Sequence, residues 1–236
     1  MSGGPDHAAR TGAFFDVDGT LVGTTIVHYY AYLRTLNMSP LARRAWRAAF
    51  LMKCVGYLVL DRIDRTWFNR VFYRSYRSVA VGMAKAAAAD CYRDVMRPRR
   101  FPEGVFRVER HRREGRRAVL VTGSIDFLIR PLAEELGADL LAARLLEQGG
   151  RFTGELDGPP ISEGEKARRM RAYAEANAID LSESFAYGDS IADLPMLEAV
   201  GHPVAVNPDA ALKREAQRRG WAIETWGLDV GRERAG

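Results

Sequence analysis

The chain has few cysteines and no long hydrophobic run. Among its 236 residues the only cysteines are Cys54 and Cys91, with no nearby Cys/His cluster, which argues against a disulfide framework or a structural zinc site. The longest apolar run, Ala48 to Leu60, is interrupted by Lys53 and is too short to span a bilayer. Residues 1–10 are polar and do not resemble a signal peptide. We therefore expect a cytoplasmic protein without membrane-spanning helices.

Acidic residues are absent between Val22 and Leu60. From Val22 to Arg100 there are 15 basic and 4 acidic residues, a net charge of +11, although the whole chain carries only +5. An apolar fraction of 47% and a charged fraction of 28% are ordinary for a globular protein and exclude a disordered or collagen-like chain. The uneven charge indicates either a separate module with an anionic partner or a solvated basic face.

Short apolar runs alternate with helical patterns over most of the chain, which predicts a parallel sheet covered on both faces. Strands are predicted at 13–15, 118–121, 139–142, 184–187, 204–206 and 221–223, with part of a hairpin at 151–156. Helices are predicted at 102–113, 126–136 and 163–177, the last with Ser162 as its N-cap.

The segment after the first strand has a different pattern. No strand is predicted between Thr24 and Met96, and helices are expected at 24–36, 40–60, 64–78 and 83–96. The fold class is therefore α/β, a Rossmann-like doubly wound parallel sheet with an inserted α-helical cap domain. We place the core domain at residues 1–22 and 98–236 and the cap domain at residues 23–97.

Polar residues gather where the predicted strands end. In an open parallel sheet, ligands bind beyond the carboxyl ends of the strands. Four such positions hold polar or charged residues that could take part in a reaction: Asp16, Thr122, the loop before Lys166, and Asp189.

The first of these positions holds two carboxylates, Asp16 and Asp18, followed by Gly19. On an extended strand, residues two apart point to the same side. One carboxylate can act as a covalent nucleophile, and a second can protonate a leaving group and later activate water. The alternative is a pair of ordinary turn aspartates.

The other positions suit a phosphate and a metal ion. Asp189 and Asp193 offer hard oxygen ligands of the kind magnesium prefers, or they are helix N-caps. Thr122 and the Gly123 N–H group offer donors to a phosphoryl oxygen. Lys166, near a helix start, neutralises phosphoryl charge, or it is an ordinary surface lysine.

Taken in order, these segments resemble the four motifs of the haloacid dehalogenase superfamily. The segments are Asp16-Val17-Asp18-Gly19-Thr20-Leu21, Val121-Thr122-Gly123-Ser124, Gly164-Glu165-Lys166 and Gly188-Asp189-Ser190-Ile191-Ala192-Asp193. The helical insertion between the first two motifs is similar to the cap of subfamily IB, the phosphoserine-phosphatase-like branch. The resemblance covers nearly the whole chain.

The resemblance implies a magnesium-dependent phosphomonoester hydrolase that forms an aspartyl phosphate. It implies that Asp16 is the nucleophile, that Asp18 is the acid and base, and that Thr122 and Lys166 hold the phosphoryl oxygens. The implied Mg²⁺ ligands are Asp16, the Asp18 backbone carbonyl and Asp189, with Asp193 adjacent or acting through water. In phosphoserine phosphatases a glutamate closely following the first motif binds the substrate amine.

Here the corresponding stretch is Val22-Gly23-Thr24-Thr25-Ile26, with threonine where that glutamate is expected, and the next acidic residue is Asp61. The Val22–Arg100 segment, of charge +11 and without this carboxylate, is poorly suited to an ammonium group, so we expect a substrate other than phosphoserine. Basic and apolar residues interleave between Leu41 and Leu60, as in a helix attracted to anionic lipid, although a buried cap helix has the same pattern. A phosphomonoester with an apolar or additional anionic part, such as a lipid phosphate, fits this composition.

Two other functions remain open. A phosphotransferase would use the same residues to pass the phosphoryl group to an alcohol, and a non-catalytic module would bind a membrane surface or a partner through the basic cap. The arginine-rich run from Arg97 to Arg117 is interrupted by glutamates and lacks stacking aromatics, so we expect a solvated helix face and no nucleic-acid partner. The sequence leaves the oligomeric state open.

Overall fold

The computed structural model describes residues 10–63 and 72–228, and side chains at residues 10–51 and 72–228. The helix predicted at 64–78 lies largely outside these residues. Its described end contains a short 3-10 turn, Arg74–Tyr76. No helix in the described ranges has the length and apolar character needed to cross a membrane.

The core is a six-stranded sheet in which every neighbouring pair is parallel, in the order β3-β2-β1-β6-β7-β8. A separate antiparallel hairpin is formed by β4 and β5. The strands are β1 (Gly12–Phe15), β2 (Arg117–Ile125), β3 (Asp139–Ala143), β4 (Leu145–Gln148), β5 (Arg151–Leu156), β6 (Phe185–Gly188), β7 (His202–Val206) and β8 (Ala222–Glu224). The doubly wound parallel sheet predicted from the sequence is confirmed.

Helices connect these strands and also fill the insertion after β1. They are α1 (Ile26–Thr35), α2 (Pro40–Ile63), α3 (Val81–Ala86), α4 (Ala88–Cys91), α5 (Pro102–Arg113), α6 (Asp126–Leu136), α7 (Gly164–Ala176), α8 (Leu194–Leu197) and α9 (Ala210–Arg219). The first four lie between β1 and β2, where the sequence predicts the cap. The exact domain boundaries, 22/23 and 97/98, stay a prediction.

Two hydrophobic clusters form the core because consecutive strand residues point to opposite faces of the sheet. Phe15 belongs to one cluster, together with Leu120 and Tyr187. Phe14 belongs to the other cluster, with Val119 of β2 and residues of α7, α8 and α9. Both phenylalanines are completely buried. The central strands are therefore covered on both faces, as their continuous apolar runs predict.

The cap packs its own aromatic residues around Tyr30 of α1. The Tyr30 ring lies 5.1 Å from Tyr76 and 5.7 Å from Phe50, measured between ring centroids. Trp46 and Phe50 of α2 stack at 4.6 Å. Aromatic pairs at these separations add to the free energy gained by burying their area. This face of α2 is half-buried against the cap, and the other described side chains of α2 are exposed, so α2 is not the buried helix that the sequence offered as one alternative.

Two local predictions are wrong. The helix predicted at 83–96 is broken into α3, α4 and a π-turn at Tyr92–Met96, followed by a 3-10 turn at Arg97–Arg99 that contains Pro98. Proline lacks an N–H group and clashes with the preceding helical turn, so a regular helix cannot continue through it. The N-cap of α7 is Glu163, with φ +45°, and not Ser162.

The cap is attached to the hairpin by backbone hydrogen bonds. Ser78 N–H donates to the Phe152 carbonyl at 2.9 Å, and Phe152 N–H donates to the Val79 carbonyl at 3.0 Å. Val81 N–H donates to the Gly150 carbonyl at 3.0 Å. Residues 78–81 thus lie along β5 like a short third strand, which joins the insertion to the core at a second place.

Candidate active site

The site lies where the parallel strands end and the strand order reverses. Strand β1 is central, with β2 on one side and β6 on the other. Asp16 follows β1, Thr122 lies in β2, and Asp189 follows β6. The Asp16 N–H group donates to the Tyr187 carbonyl at 2.9 Å, which joins the ends of β1 and β6. This reversal point is where ligands bind in doubly wound sheets.

Lys166 joins two carboxylates inside the protein. Its Nζ atom lies 2.6 Å from Asp16 Oδ1 and 2.6 Å from Asp193 Oδ1. Lys166 and Asp16 are nearly fully buried, and Asp193 is completely buried. Burial disfavours the charge on Lys166, but Asp16 and Asp193 together hold its pKa above the ordinary value. Lys166 is therefore a permanently charged group beside the candidate nucleophile, and the surface-lysine alternative is wrong.

Three carboxylates converge next to this lysine. Oxygen atoms of Asp16, Asp189 and Asp193 lie within 4.8 Å of one another. Burial, and then the charges of Asp16 and Asp193, raise the pKa of Asp189 to about 9. Burial likewise raises the pKa of Asp16, against the opposing effect of Lys166. A single ammonium group thus leaves this cluster short of positive charge, and hard carboxylate oxygens at this spacing fit a Mg²⁺ ion.

Gly19 and Thr20 hold Asp189 in this cluster. Gly19 has φ +95°, in the region that favours glycine, and a Cβ atom there would overlap the Asp189 carboxylate. The Thr20 hydroxyl donates to Asp189 Oδ1 at 2.9 Å. The loop after β1 therefore approaches the loop after β6 closely only because residue 19 has no side chain.

Asp193 makes a capping contact within its own loop and an ion pair with Lys166, and its role as a metal ligand stays a prediction. Its Oδ2 atom accepts from Ser190 N–H at 3.1 Å and from Asp189 N–H at 3.2 Å, as a capping carboxylate does. Its Oδ1 atom accepts from Lys166. Asp193 thus fixes the loop after β6 and orients the lysine with the same side chain.

Asp18 is held apart from the carboxylate cluster. The Tyr29 hydroxyl donates to Asp18 Oδ1 at 2.6 Å, and the Ser124 hydroxyl donates to Asp18 Oδ2 at 2.6 Å. Burial raises the pKa of Asp18 to about 6, although both hydrogen bonds oppose the rise. A carboxyl group with a pKa near the working pH can both give and take a proton. This environment distinguishes Asp18 from Asp16, only two residues away.

Thr122 and Gly123 directly precede Ser124, the partner of Asp18, where the register between β2 and β3 shifts. Thr122 is almost fully buried, and its Oγ1 atom accepts from Ser124 N–H at 3.0 Å. The Tyr73 hydroxyl donates to the Gly123 carbonyl. A Cβ atom at Gly123 would lie 2.8 Å from the Ile161 carbonyl oxygen, so this position is tightly enclosed. The binding of phosphate by Thr122 and Gly123 stays a prediction.

The structure adds residues that the sequence analysis missed. Tyr29 and Tyr73 come from the insertion and contact Asp18 and Gly123. Their partners are 11 and 50 residues away, and no local pattern marks them. Thr20 and Ser124 lie inside the first and second superfamily motifs, which are the signal that could have identified them.

Comparison with known proteins agrees with this geometry. Residues 13–198 match the family described as haloacid dehalogenase-like hydrolase. The chain belongs to this family. It is similar to a probable phosphatase of Mycobacterium tuberculosis, with 33% identity over 97% of this chain and 79% of the relative. This hydrolase is a phosphatase. It is a phosphoserine-phosphatase-like member of the superfamily, since it is 30% identical to a phosphoserine phosphatase of Mycobacterium tuberculosis over 89% of this chain and 69% of that relative.

Solved structures show the same fold. A protein of unknown function from Bordetella pertussis is 29% identical to this hydrolase, with a TM-score of 0.75, and the match covers 92% of this chain and 98% of that one. A phosphoserine phosphatase, solved as an analogue of its phospho-aspartyl intermediate, is 18% identical with a TM-score of 0.68. That match covers 94% of this chain and 95% of the other and concerns the fold alone.

Proposed function

We propose that this phosphatase hydrolyses phosphomonoesters through an aspartyl phosphate on Asp16, with Mg²⁺ as cofactor. The observation that carries the proposal is the pairing of two buried aspartates with different environments, Asp16 beside Lys166 and Asp18 between two hydroxyl groups. Asp16, Asp189, Asp193 and the Asp18 backbone carbonyl would hold the Mg²⁺ ion. When bound, the ion supplies positive charge that stabilises the phosphoryl oxygens.

The two aspartates divide the reaction between them. A carboxylate oxygen of Asp16 attacks phosphorus, the bond from phosphorus to the leaving oxygen breaks, and Asp18 gives that oxygen its proton. Asp18, now ionised, takes a proton from a water molecule, whose oxygen attacks phosphorus and releases Asp16 and inorganic phosphate. Lys166, Thr122 and the Gly123 N–H group hold the phosphoryl oxygens through both steps.

The substrate is a phosphomonoester other than phosphoserine, because the described cap residues offer no free carboxylate to an ammonium group. Thr25 donates its N–H group to His28 Nδ1 at 3.1 Å, and burial, followed by the charge of Arg99, lowers the pKa of His28. The cap carboxylates Asp90 and Asp94 both pair with Arg93, at 2.7 and 2.8 Å. An apolar or additional anionic part of the substrate suits the cap better.

We also propose that α2 makes peripheral contact with anionic membranes, which would bring a lipid phosphate to the site. Leu41 is 79% exposed and Leu51 66% exposed, while Arg44 and Arg47 are exposed on the same helix. Apolar and basic residues on one exposed surface favour binding to anionic lipid. Pelleting with phosphatidylserine vesicles tests this contact. The Leu41→Ser/Leu51→Ser double variant is expected to lose binding, and equal pelleting of both proteins would contradict it.

Phosphate release from a panel of phosphomonoesters, with and without Mg²⁺, tests the proposed function. The panel contains phosphoserine, sugar phosphates, nucleotides and lysophosphatidate. Asp16→Asn is expected to abolish release. Asp157→Asn, an equivalent change at an exposed position, is expected to keep it. Poor hydrolysis of lysophosphatidate relative to sugar phosphates would contradict the lipid substrate.

The same assay separates the alternative functions. Transfer of phosphate to an added alcohol, at the expense of release, would indicate a phosphotransferase. If the folded protein releases no phosphate from any member of the panel but still binds vesicles, this would indicate a non-catalytic module. We propose a cytoplasmic location, supported by the buried free thiol of Cys91, and cell fractionation tests it.

A further inference from the structure

A second cleft lies between the cap and the hairpin, with a volume of about 400 Å³. Its walls are α1, residues 75–80, Met83 and Arg151 of β5. The four carboxylates of the candidate active site do not contribute to its described lining. This cap–hairpin cleft is therefore separate from the carboxylate cluster, and neither the proposed reaction nor the superfamily motifs use its residues.

Three arginines line the cap–hairpin cleft: Arg34 of α1, Arg77 and Arg151. The described lining contains no acidic residue. Arg77 Nε donates to the Thr153 carbonyl at 3.2 Å, and Arg151 Nη1 donates to the Ser78 carbonyl at 2.7 Å. A guanidinium group has five N–H donors, so these bonds orient the two side chains while leaving donors for an anion. Three cations around one cleft repel each other unless an anion joins them.

The wall of the cleft contains a buried polar group without a partner. Tyr76 is completely buried, and within the described part of the chain its hydroxyl has no hydrogen-bond partner. Its ring is fixed by Tyr30, another lining residue, at 5.1 Å between centroids. The hydroxyl is closed off from the cleft as well as from solvent, so Tyr76 supports the wall through its ring.

The backbone of the cleft is strained where the arginines meet. Ser78 has φ +66°, a left-handed conformation uncommon for residues other than glycine. Its N–H group and its carbonyl are both fixed by β5, through Phe152 and Arg151. The strained turn places Arg77 and Arg151 on the same cleft before any ligand arrives. Strain of this kind concentrates at ligand sites.

From these observations we propose that the cap–hairpin cleft binds the phosphate or carboxylate group of a small anion. The guanidinium groups of Arg34, Arg77 and Arg151 donate to its oxygens. The anion is either a free molecule or a second anionic group of the substrate, and the chemistry of recognition is the same for both. Because Arg34 belongs to the cap and Arg151 to the hairpin, the anion joins the two.

Calorimetric titration of the full chain with pyrophosphate, in buffer containing EDTA, tests the site without requiring turnover. The variant is Arg34→Gln, because Arg34 is exposed and has no hydrogen bond to another described residue. We expect its dissociation constant to rise at least about tenfold, as for loss of a charge-assisted contact. Arg214→Gln, with the same charge change on exposed α9, is the control and is expected to match the wild type. Equal affinity in wild type and Arg34→Gln, or no binding to wild type, would overturn the proposal.

Kinetic measurements separate the two sources of the anion. If the anion is part of the substrate, Arg34→Gln lowers kcat/KM for 3-phosphoglycerate more than for glycerol 3-phosphate, which lacks the carboxylate. If the anion is a free molecule, pyrophosphate alters turnover of glycerol 3-phosphate in the Arg214→Gln control more than in Arg34→Gln. Failure of all turnover would contradict the proposed function, while the calorimetric result would still decide the anion site.

Discussion

The hydroxyl of Tyr29 donates a hydrogen bond of 2.6 Å to Asp18, the candidate acid and base. Tyr29 lies on α1, the first helix of the insertion, and is completely buried. Its hydroxyl also lies 2.6 Å from the Thr24 hydroxyl. A residue of the inserted segment therefore sets the position and the proton affinity of a residue in the core. The insertion therefore contributes a side chain to the candidate site.

Replacement of Tyr29 by phenylalanine is expected to raise the pKa of Asp18. A hydrogen bond donated to a carboxylate favours the charged form, so its removal favours the protonated form. From a starting pKa of about 6, the acidic limb of kcat, where ionised Asp18 must accept a proton from water, is expected to move to higher pH. The pH profiles of wild type and Tyr29→Phe measure this shift. An unchanged limb, or a shift to lower pH, would show that Tyr29 does not control Asp18.

Substitution of Gly19 by alanine is expected to remove magnesium-dependent activity. Residue 19 has φ +95°, and a Cβ atom there would overlap the Asp189 carboxylate. Gly115→Ala is the matched control, since Gly115 has φ +78° and a Cβ atom there would meet no described residue within 4 Å apart from its chain neighbours. Both changes are expected to cost about 1 kcal/mol of stability from the backbone, but only Gly19→Ala displaces Asp189. Equal activity in the two variants contradicts this account.

Magnesium is expected to stabilise the fold even without substrate. Burial, and then the charges of Asp16 and Asp193, raise the pKa of Asp189, and a bound cation reverses that repulsion. At a concentration 100 times the dissociation constant, a ligand specific for the folded state adds about 2.7 kcal/mol. Melting curves with Mg²⁺ or with EDTA measure the effect. Asp189→Asn is expected to abolish most of it, and a wild-type melting temperature independent of Mg²⁺ would argue against the metal site.

His111 is expected to make the core sensitive to acid. It is nearly fully buried, and its Nε2 atom lies 2.8 Å from the Tyr187 hydroxyl. Burial, together with the charge of Arg116, lowers the pKa of His111 to about 4, whereas the unfolded chain takes up this proton near pH 6.5. Its contribution to stability is therefore complete above about pH 6.5 and falls as the pH drops towards 4, by about 2 kcal/mol at pH 5.

Urea unfolding at about pH 7.5 and about pH 5 measures this loss in wild type and in His111→Gln. Glutamine can still bond to Tyr187 but does not titrate, so the variant is expected to lose less stability between the two pH values. Parallel losses in both proteins would show that other groups cause the acid sensitivity.

The sequence identified much of the site because the chemistry follows the strand ends. Asp16, Thr122 and Asp189 come directly after or within apolar runs, and parallel strands bring such positions to one edge of a sheet. Tyr29 escaped prediction because its contact with Asp18 depends on how the insertion folds back over the core. The same is true of the cap–hairpin cleft, where Arg34 and Arg151 are far apart in sequence.

The two wrong local predictions, the helix at 83–96 and the N-cap at Ser162, each have a physical cause. Alanine-rich residues 83–96 have high helix propensity. Because Pro98 cannot continue a regular helix, the chain forms a wider π-turn at Tyr92–Met96 and then a tighter 3-10 turn at Arg97–Arg99. Ser162 has a suitable side chain for an N-cap, yet Glu163 takes that position with φ +45°. Propensity favours one conformation at such places, and packing against the rest of the chain selects another.

Trapping of the phosphoryl group on the protein tests the central claim most directly. The wild-type protein would be mixed with Mg²⁺ and a labelled phosphomonoester from which the panel assay shows release, quenched in acid within one turnover, and digested for mass spectrometry. The account predicts an acid-stable, alkali-labile phosphoryl group on the peptide containing Asp16, absent from Asp16→Asn. Label on another residue, or turnover without any trapped phosphoryl group, would contradict it.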